Sequence, residues 1–156
     1  MRVPYPTPTS AAASSVGRAN RRSDTKPERI LRSELHCRGL RFRKDLLVRA
    51  GDVLTHPDVV FTRARIAVFV DGCFWHGCPE HGSTPRSNVD YWVPKLTANQ
   101  ERDRRVDQAL GDEGWLVLRF WEHEPVEGVA DLVRTAYRQR IEESGRSSYS
   151  DVTSSG

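Results

Sequence analysis

RIAVFVDGCFWHGCPEH, residues 65–81, is the stretch on which the reading of this chain turns. Ile66 to Val70 is an unbroken apolar run of β-branched and aromatic side chains, the pattern of a buried strand. Asp71 and Gly72 end it. Cys73, His76, Cys78 and His81 follow within nine residues, with Phe74 and Trp75 set among them. Two of the chain's three cysteines and two of its five histidines fall in this window. Thiol and imidazole ligands crowded at a strand end predict a metal-built loop. Adjacent large aromatics in a polar loop predict a surface that docks against something flat.

The rest of the composition sets bounds. A chain of 156 residues fits one domain with a real core. Its net charge of +3 permits a nucleic-acid partner without demanding one. No run approaches the roughly 18 apolar residues of a membrane span, and the N-terminus lacks the apolar segment of a secretory signal. An odd cysteine count, with two clustered beside histidines, points to a reducing compartment and a metal rather than to disulfides.

Upstream of the central stretch, residues 1–22 read as a flexible basic arm carrying Arg18, Arg21 and Arg22. A helix then starts at Thr25, with Pro27 in its first turn and Glu28 placed to complete a capping box. Ile30, Leu31 and Leu35 are its apolar stripe, and Gly39 ends it. Glu28 thus has an ordinary capping use beside any catalytic one. His36 and Cys37, adjacent at the helix end, read as structural. Leu40 to Val48 reads as a first strand, followed by a turn at Gly51 and Asp52. Asp58 then opens a short apolar strand after Pro57, where a carboxylate is costly unless it is paired or holds a metal; capping a turn is the alternative. Arg63 and Arg65 flank a tight turn, so this strand and the central one are antiparallel neighbours. That places Asp58 and Asp71 at one edge, where two carboxylates, a strand-end carbonyl and His76 can meet as a hard-cation site for phosphodiester chemistry.

Downstream, Tyr91, Trp92 and Pro94 begin the next segment, and a helix follows to about Asp112. Its stripe of Leu96, Asn99, Asp103, Val106 and Leu110 has two polar members. Either they face something polar in the central loop, or the helix is rotated to put them at its edge. Trp115 to Trp121 reads as a second fully buried strand, and a last helix ends near Glu143, before a Ser-rich tail over 144–156 that reads as disordered. The expected folded domain is 23–143, an α/β (α+β) mixed sheet flanked by helices. Cys73, Cys78 and His81 supply three zinc ligands, and His123 after the second buried strand is the natural fourth. His76 is then left over, held between ligands but free for chemistry.

Thr25-Lys26-Pro27-Glu28, Pro57-Asp58, Phe69 through His76, Tyr91-Trp92, Asn99 through Arg105, and Gly114 through Glu122 together resemble the very-short-patch-repair endonucleases, nickases of T:G mismatches that arise from deaminated 5-methylcytosine. The resemblance runs from about Ser15 to Glu124. It implies a restriction-endonuclease-like fold and a magnesium-dependent nick on the 5′ side of the mismatched thymine. It implies that Asp58 and the carbonyl of Val70 bind catalytic magnesium. His76 would be the acid/base group oriented by Asp103, with Glu28 and Asp71 in the same site. Phe74 and Trp75 would wedge between base pairs, and Arg21, Arg22, Lys95 and Asn99 would join them on the DNA. Zinc would be structural, at Cys73, Cys78, His81 and His123. The implied setting is the bacterial cytoplasm, on the nucleoid, as a monomer, with other mismatch-repair proteins as further partners.

This sequence departs from the family pattern in three places. Asp71 stands where some members have a second catalytic histidine, His81 and His123 stand where some have cysteine, and Gly17 stands where the arm can carry an apolar wedge. Two other readings remain: a restriction-type DNA endonuclease of different specificity, and a non-catalytic zinc module that binds DNA. A carboxylate poised for a metal beside a free histidine speaks against the last.

Overall fold

A computed structural model of the chain describes residues 24–81 and 86–150. In order they form helix α1 (Lys26–Cys37), strands β1 (Val48–Ala50), β2 (Val53–Thr55), β3 (Val59–Phe61) and β4 (Ile66–Asp71), the one-turn helix α2 (Cys73–His76), the long helix α3 (Val89–Asp112), strand β5 (Leu116–Trp121) and helix α4 (Val126–Ser150). The N-terminal arm, with Gly17, Arg18, Arg21 and Arg22, lies outside the described residues.

β4 is the centre of a mixed sheet. β3 pairs with it antiparallel, Val59 opposite Val68, and β5 pairs with it parallel, Ile66 opposite Leu116. Side chains alternate across a strand. Ile66 and Val68 therefore pack with Leu31 and Leu35 of α1 and Val129 and Val133 of α4. Ala67 and Phe69 point the other way, against Val106 and Leu110 of α3 and the β1–β2 hairpin. Burial on both faces is why the run has no polar alternation. Each such aliphatic side chain contributes about 1.5–3 kcal/mol. The fold is thus a mixed α/β arrangement with helices on both sides of a small sheet. Among the described residues, no helix is long and apolar enough to cross a membrane.

Three expectations need correction. Leu40 to Val48 is not a strand: it makes one isolated bridge, Arg43 with Val60, before Asp45 takes φ +52°. A non-glycine residue there leaves the extended region and ends any pairing. β5 is not fully buried, because it flanks β4 on one side only, and Phe120 is its one buried residue. α4 runs to Ser150, past the expected end at Glu143. The antiparallel turn, by contrast, forms as expected, tightened by the Arg65 N–H donating to the Thr62 carbonyl at 3.3 Å.

Replacing Ile66 by alanine should lower the unfolding free energy by about 2–5 kcal/mol in urea titrations. A loss under about 1 kcal/mol would contradict its full enclosure.

Candidate active site

α1 brings the first carboxylate. Thr25 is the residue before the helix, but its side chain makes no capping hydrogen bond; its hydroxyl donates instead to Glu28 Oε1 at 2.8 Å. The capping box expected from the sequence does not form. Glu28 is only 5% exposed, and the guanidinium of Arg32 approaches it at 3.7 Å while also pairing with Asp24. Glu28 is free of backbone duty and borders two clefts.

β3 and β4 bring the next pair. The Val70 N–H donates to Asp58 Oδ2 at 2.7 Å, across the antiparallel edge. Burial pushes the Asp58 carboxyl up to about 7, and the negative charge of Glu28 adds to the rise; the Val70 hydrogen bond and Arg32 oppose it. Asp71 points to the same face as Phe69 and meets Arg119 of β5. Its oxygens lie 2.9 and 3.2 Å from Arg119 Nη1, and Oδ1 lies 3.8 Å from His76 Nδ1. Burial raises its pKa, against the pull of Arg119.

α3 supplies the partner of His76. Asp103 Oδ2 is 2.5 Å from His76 Nδ1, so the two polar members of the α3 stripe do face the central loop. Burial alone would depress the imidazole, but the Asp103 hydrogen bond and the charges of Asp71 and Asp103 outweigh it and raise its pKa. Burial likewise favours neutral Asp103, and there too the His76 bond prevails, lowering its pKa. The expected single meeting point is two adjoining ones: Asp58 with the end of β4, and Asp71–His76–Asp103 with Arg119. They share a cleft of about 480 Å³ lined also by Glu28, Arg102 and Arg119. A second cleft of about 530 Å³ contains Phe74, Trp75 and Asn99. Glu28, Val70, His76 and Arg102 border both.

α2 carries the aromatic tip, and its position is fixed from behind. Glu122 Oε1 accepts the Cys73 N–H at 2.9 Å. The side-chain amides of Asn99 and Gln100 donate to the carbonyls of Trp75 and His76, each at 3.3 Å. Asn99 thus anchors the tip as well as lining the cleft. Gly77 ends α2 at φ +68°, and a Cβ there would stand 2.2 Å from Gln100 Nε2. Phe74, Trp75 and Trp92 form an edge-to-face cluster, with centroids 5.2–5.6 Å apart. Lys95 Nζ lies 5.1 Å from the Tyr91 ring centroid and donates to its hydroxyl at 3.0 Å.

Beside the tip, Cys73, Cys78, His81 and His123 each offer a ligand atom within 4.8 Å of the others. Among the described residues, no other group of three or more His, Cys, Asp or Glu side chains converges so closely. Cys73 Sγ is 3.1 Å from His123 Nδ1, and Cys78 Sγ is 3.8 Å from the same nitrogen. Zinc–ligand bonds of about 2.0–2.3 Å in a tetrahedron put ligand atoms roughly 3.3–3.8 Å apart; the cluster, from 3.1 Å up to 4.8 Å, lies around that spacing, and its thiol and imidazole donors suit that ion. Glu80 lies 3.6 Å from His123 Nε2, as an outer carboxylate that orients a ligand imidazole would. Burial, with Cys78 alongside, pushes the Cys73 thiol up to about 11; a cation here would have to displace that proton.

The family model described as DNA mismatch endonuclease Vsr matches residues 7–80. The type II nicking enzyme V.NaeI of Lentzea aerocolonigenes is 55% identical over 135 residues, covering 85% of this chain and 81% of that protein. The DNA mismatch endonuclease Vsr of Escherichia coli is 35% identical over 137 residues, covering 85% and 83%. This chain belongs to the Vsr family of DNA endonucleases. Another similar protein, the type II nicking enzyme V.XorIIP of Xanthomonas oryzae, is 45% identical over 106 residues, covering 67% and 74%.

The Vsr-family site also contains residues that the sequence reading passed over. Arg119 is the lone charge inside WLVLRFW, and that isolation was its signal. Arg32 is one helical turn from Glu28, on the buried side of α1. Trp92, Gln100 and Glu122 were visible only as parts of motifs, with no role of their own attached.

Gly77→Ala should destabilise the chain by about 1–2 kcal/mol for left-handed backbone alone, and Gln100→Ala should relieve only the steric remainder; paired melting curves separate the two. Asp58 makes a second prediction. Its folded pKa is raised, so its contribution to stability is complete below the unfolded value of about 3.9 and is lost as pH climbs through about 7. In magnesium-free buffer Asp58→Asn should therefore stabilise the fold at pH 8, by about 1–3 kcal/mol once water at the half-buried carboxyl is allowed for. The gain should vanish near pH 4 in calorimetric scans.

Proposed function

We propose that this chain nicks one strand of duplex DNA on the 5′ side of the thymine in a T:G mismatch left by deamination of 5-methylcytosine. The observation that carries the reading is the shared wall between the aromatic tip and the carboxylate–imidazole cleft: Val70, His76 and Glu28 border both. An aromatic wedge opens a mispaired step at less cost than a paired one, so insertion selects the mismatch through deformability. A backbone phosphate beside the wedge then lies at the cleft.

In this reading Phe74 and Trp75 enter the stack, and Arg21, Arg22, Lys95 and Asn99 steady the duplex. His76 transfers a proton through the ring nitrogen that Asp103 leaves free, near the pH where imidazole can both take and give one. Glu28 and Asp71 shape the field around it. Asp58 and the Val70 carbonyl would hold a divalent cation, and the donor set fits: an under-compensated carboxylate at a strand end is a hard-cation ligand. Bound magnesium supplies stabilisation for the charge that develops on the phosphate. Cys73, Cys78, His81 and His123 would hold structural zinc behind the tip. The mixed sheet with helices on both faces supports a restriction-endonuclease-like fold.

The names of V.NaeI and V.XorIIP favour a second reading with the same chemistry, a type II nicking enzyme that answers to a defined sequence. Labelled duplexes separate the two. With magnesium present, a nick confined to the strand bearing the mispaired thymine supports the first, and nicking of fully paired duplex supports the second. Binding without any nick would sink both. His76→Ala should slow nicking by about 10²–10⁴-fold and leave the zinc content, measured by atomic absorption, unchanged; zinc lost with the imidazole would show the ligand set to be wrong.

A further inference from the structure

Asp71 stands where two uses of a carboxylate compete. It ends β4 one residue past Val70, within reach of either a cation on Asp58 or the imidazole of His76. Arg119 commits it. Nη1 of Arg119 meets both Asp71 oxygens, at 2.9 and 3.2 Å. Its Nε lies 2.8 and 3.0 Å from the two oxygens of Asp107, and its Nη2 lies 3.8 Å from Asp103 Oδ1. The flat face of the guanidinium sits 4.2 Å from the centroid of Phe69. A fork held on two carboxylates and stacked on a ring has few other places to go.

We infer that Arg119 is a positioning residue, which holds Asp71 on the His76 side of the cleft and withholds it from the cation that Asp58 would bind. The inference rests on the reading of Asp58 given above. It makes Asp71 a neighbour of the proton-transfer group and leaves Asp58 as the strand-end carboxylate for the metal.

The test uses the full, zinc-loaded chain, with Mn²⁺ as the probe, titrated calorimetrically without DNA; nicking is assayed in parallel. Asp58→Asn should abolish Mn²⁺ binding; if it does not, the reading of Asp58 falls, and the inference with it. With that established, Asp71→Asn should keep Mn²⁺ affinity within about threefold while nicking slows at least about tenfold. Arg119→Met combined with Asp107→Asn preserves the local charge and should bind Mn²⁺ about tenfold more tightly, as the released Asp71 enters the shell. Adding Asp71→Asn to that pair should restore the original affinity. An arginine that served only the fold would lower the melting temperature without tightening Mn²⁺ binding. A tenfold loss of Mn²⁺ affinity in Asp71→Asn overturns the inference, as does unchanged affinity in the folded charge-balanced pair. Should that pair fail to fold, Asp71→Asn alone decides.

Discussion

The cost of gathering negative charge away from water governs this end of the molecule. Glu28, Asp58, Asp71 and Asp103 all come to the head of β4, where Glu28 and Asp71 are nearly enclosed. Like charges in such a place resist ionising unless something opposite stands close. Arg32 answers Glu28, Arg119 answers Asp71, and His76 answers Asp103. Asp58 has a backbone N–H and the charge of Arg32, without an ion pair of its own, and it is the carboxyl pushed up to about 7. Of these four acids, the one least compensated is also the one that the family resemblance assigns to a metal.

The scaffold exists to bring those groups to one edge. β4 is packed from both faces, so its direction is fixed, and its final residues emerge where α1, β3 and α3 all end or pass. α3 then braces what β4 delivers. Asn99 and Gln100 hold the carbonyls at the back of α2, Asp103 holds the imidazole, and Val106 and Leu110 enter the core. Successive turns of one helix thus move from bracing the tip, to holding the imidazole, to anchoring the whole.

What could be read beforehand was whatever depended on residue type and short spacing. The apolar run Ile66–Val70, the tight antiparallel turn before it, and the approach of Cys73, Cys78, His81 and His123 follow from local pattern, and the structure has each of them. Spacing alone allows Asn99 and Asp103 to face the central loop or the edge of the helix, and their bonds to Trp75 and His76 decide for the loop. Long-range charge pairing was not legible. Arg119 reaches Asp71 from 48 residues away, and nothing in WLVLRFW states which acid it will meet. The capping box at Thr25 failed for a local reason: Glu28 matched the rule, but the Thr25 hydroxyl donates to the Glu28 carboxylate instead of capping the backbone. The strand expected over Leu40–Val48 gave way because Asp45 adopts a left-handed turn that composition did not announce.

α3 also limits how this protein could change its target. Trp92 near its start and Asp103 in its middle belong to one continuous helix. Inserting a single residue between them would swing one relative to the other by about 100°. New preferences for flanking bases can therefore arise through segments joined loosely to the site, but not by lengthening the helix. The helical phase between the two residues is thus a constraint on length, and the connections on either side of α3 are not bound by it.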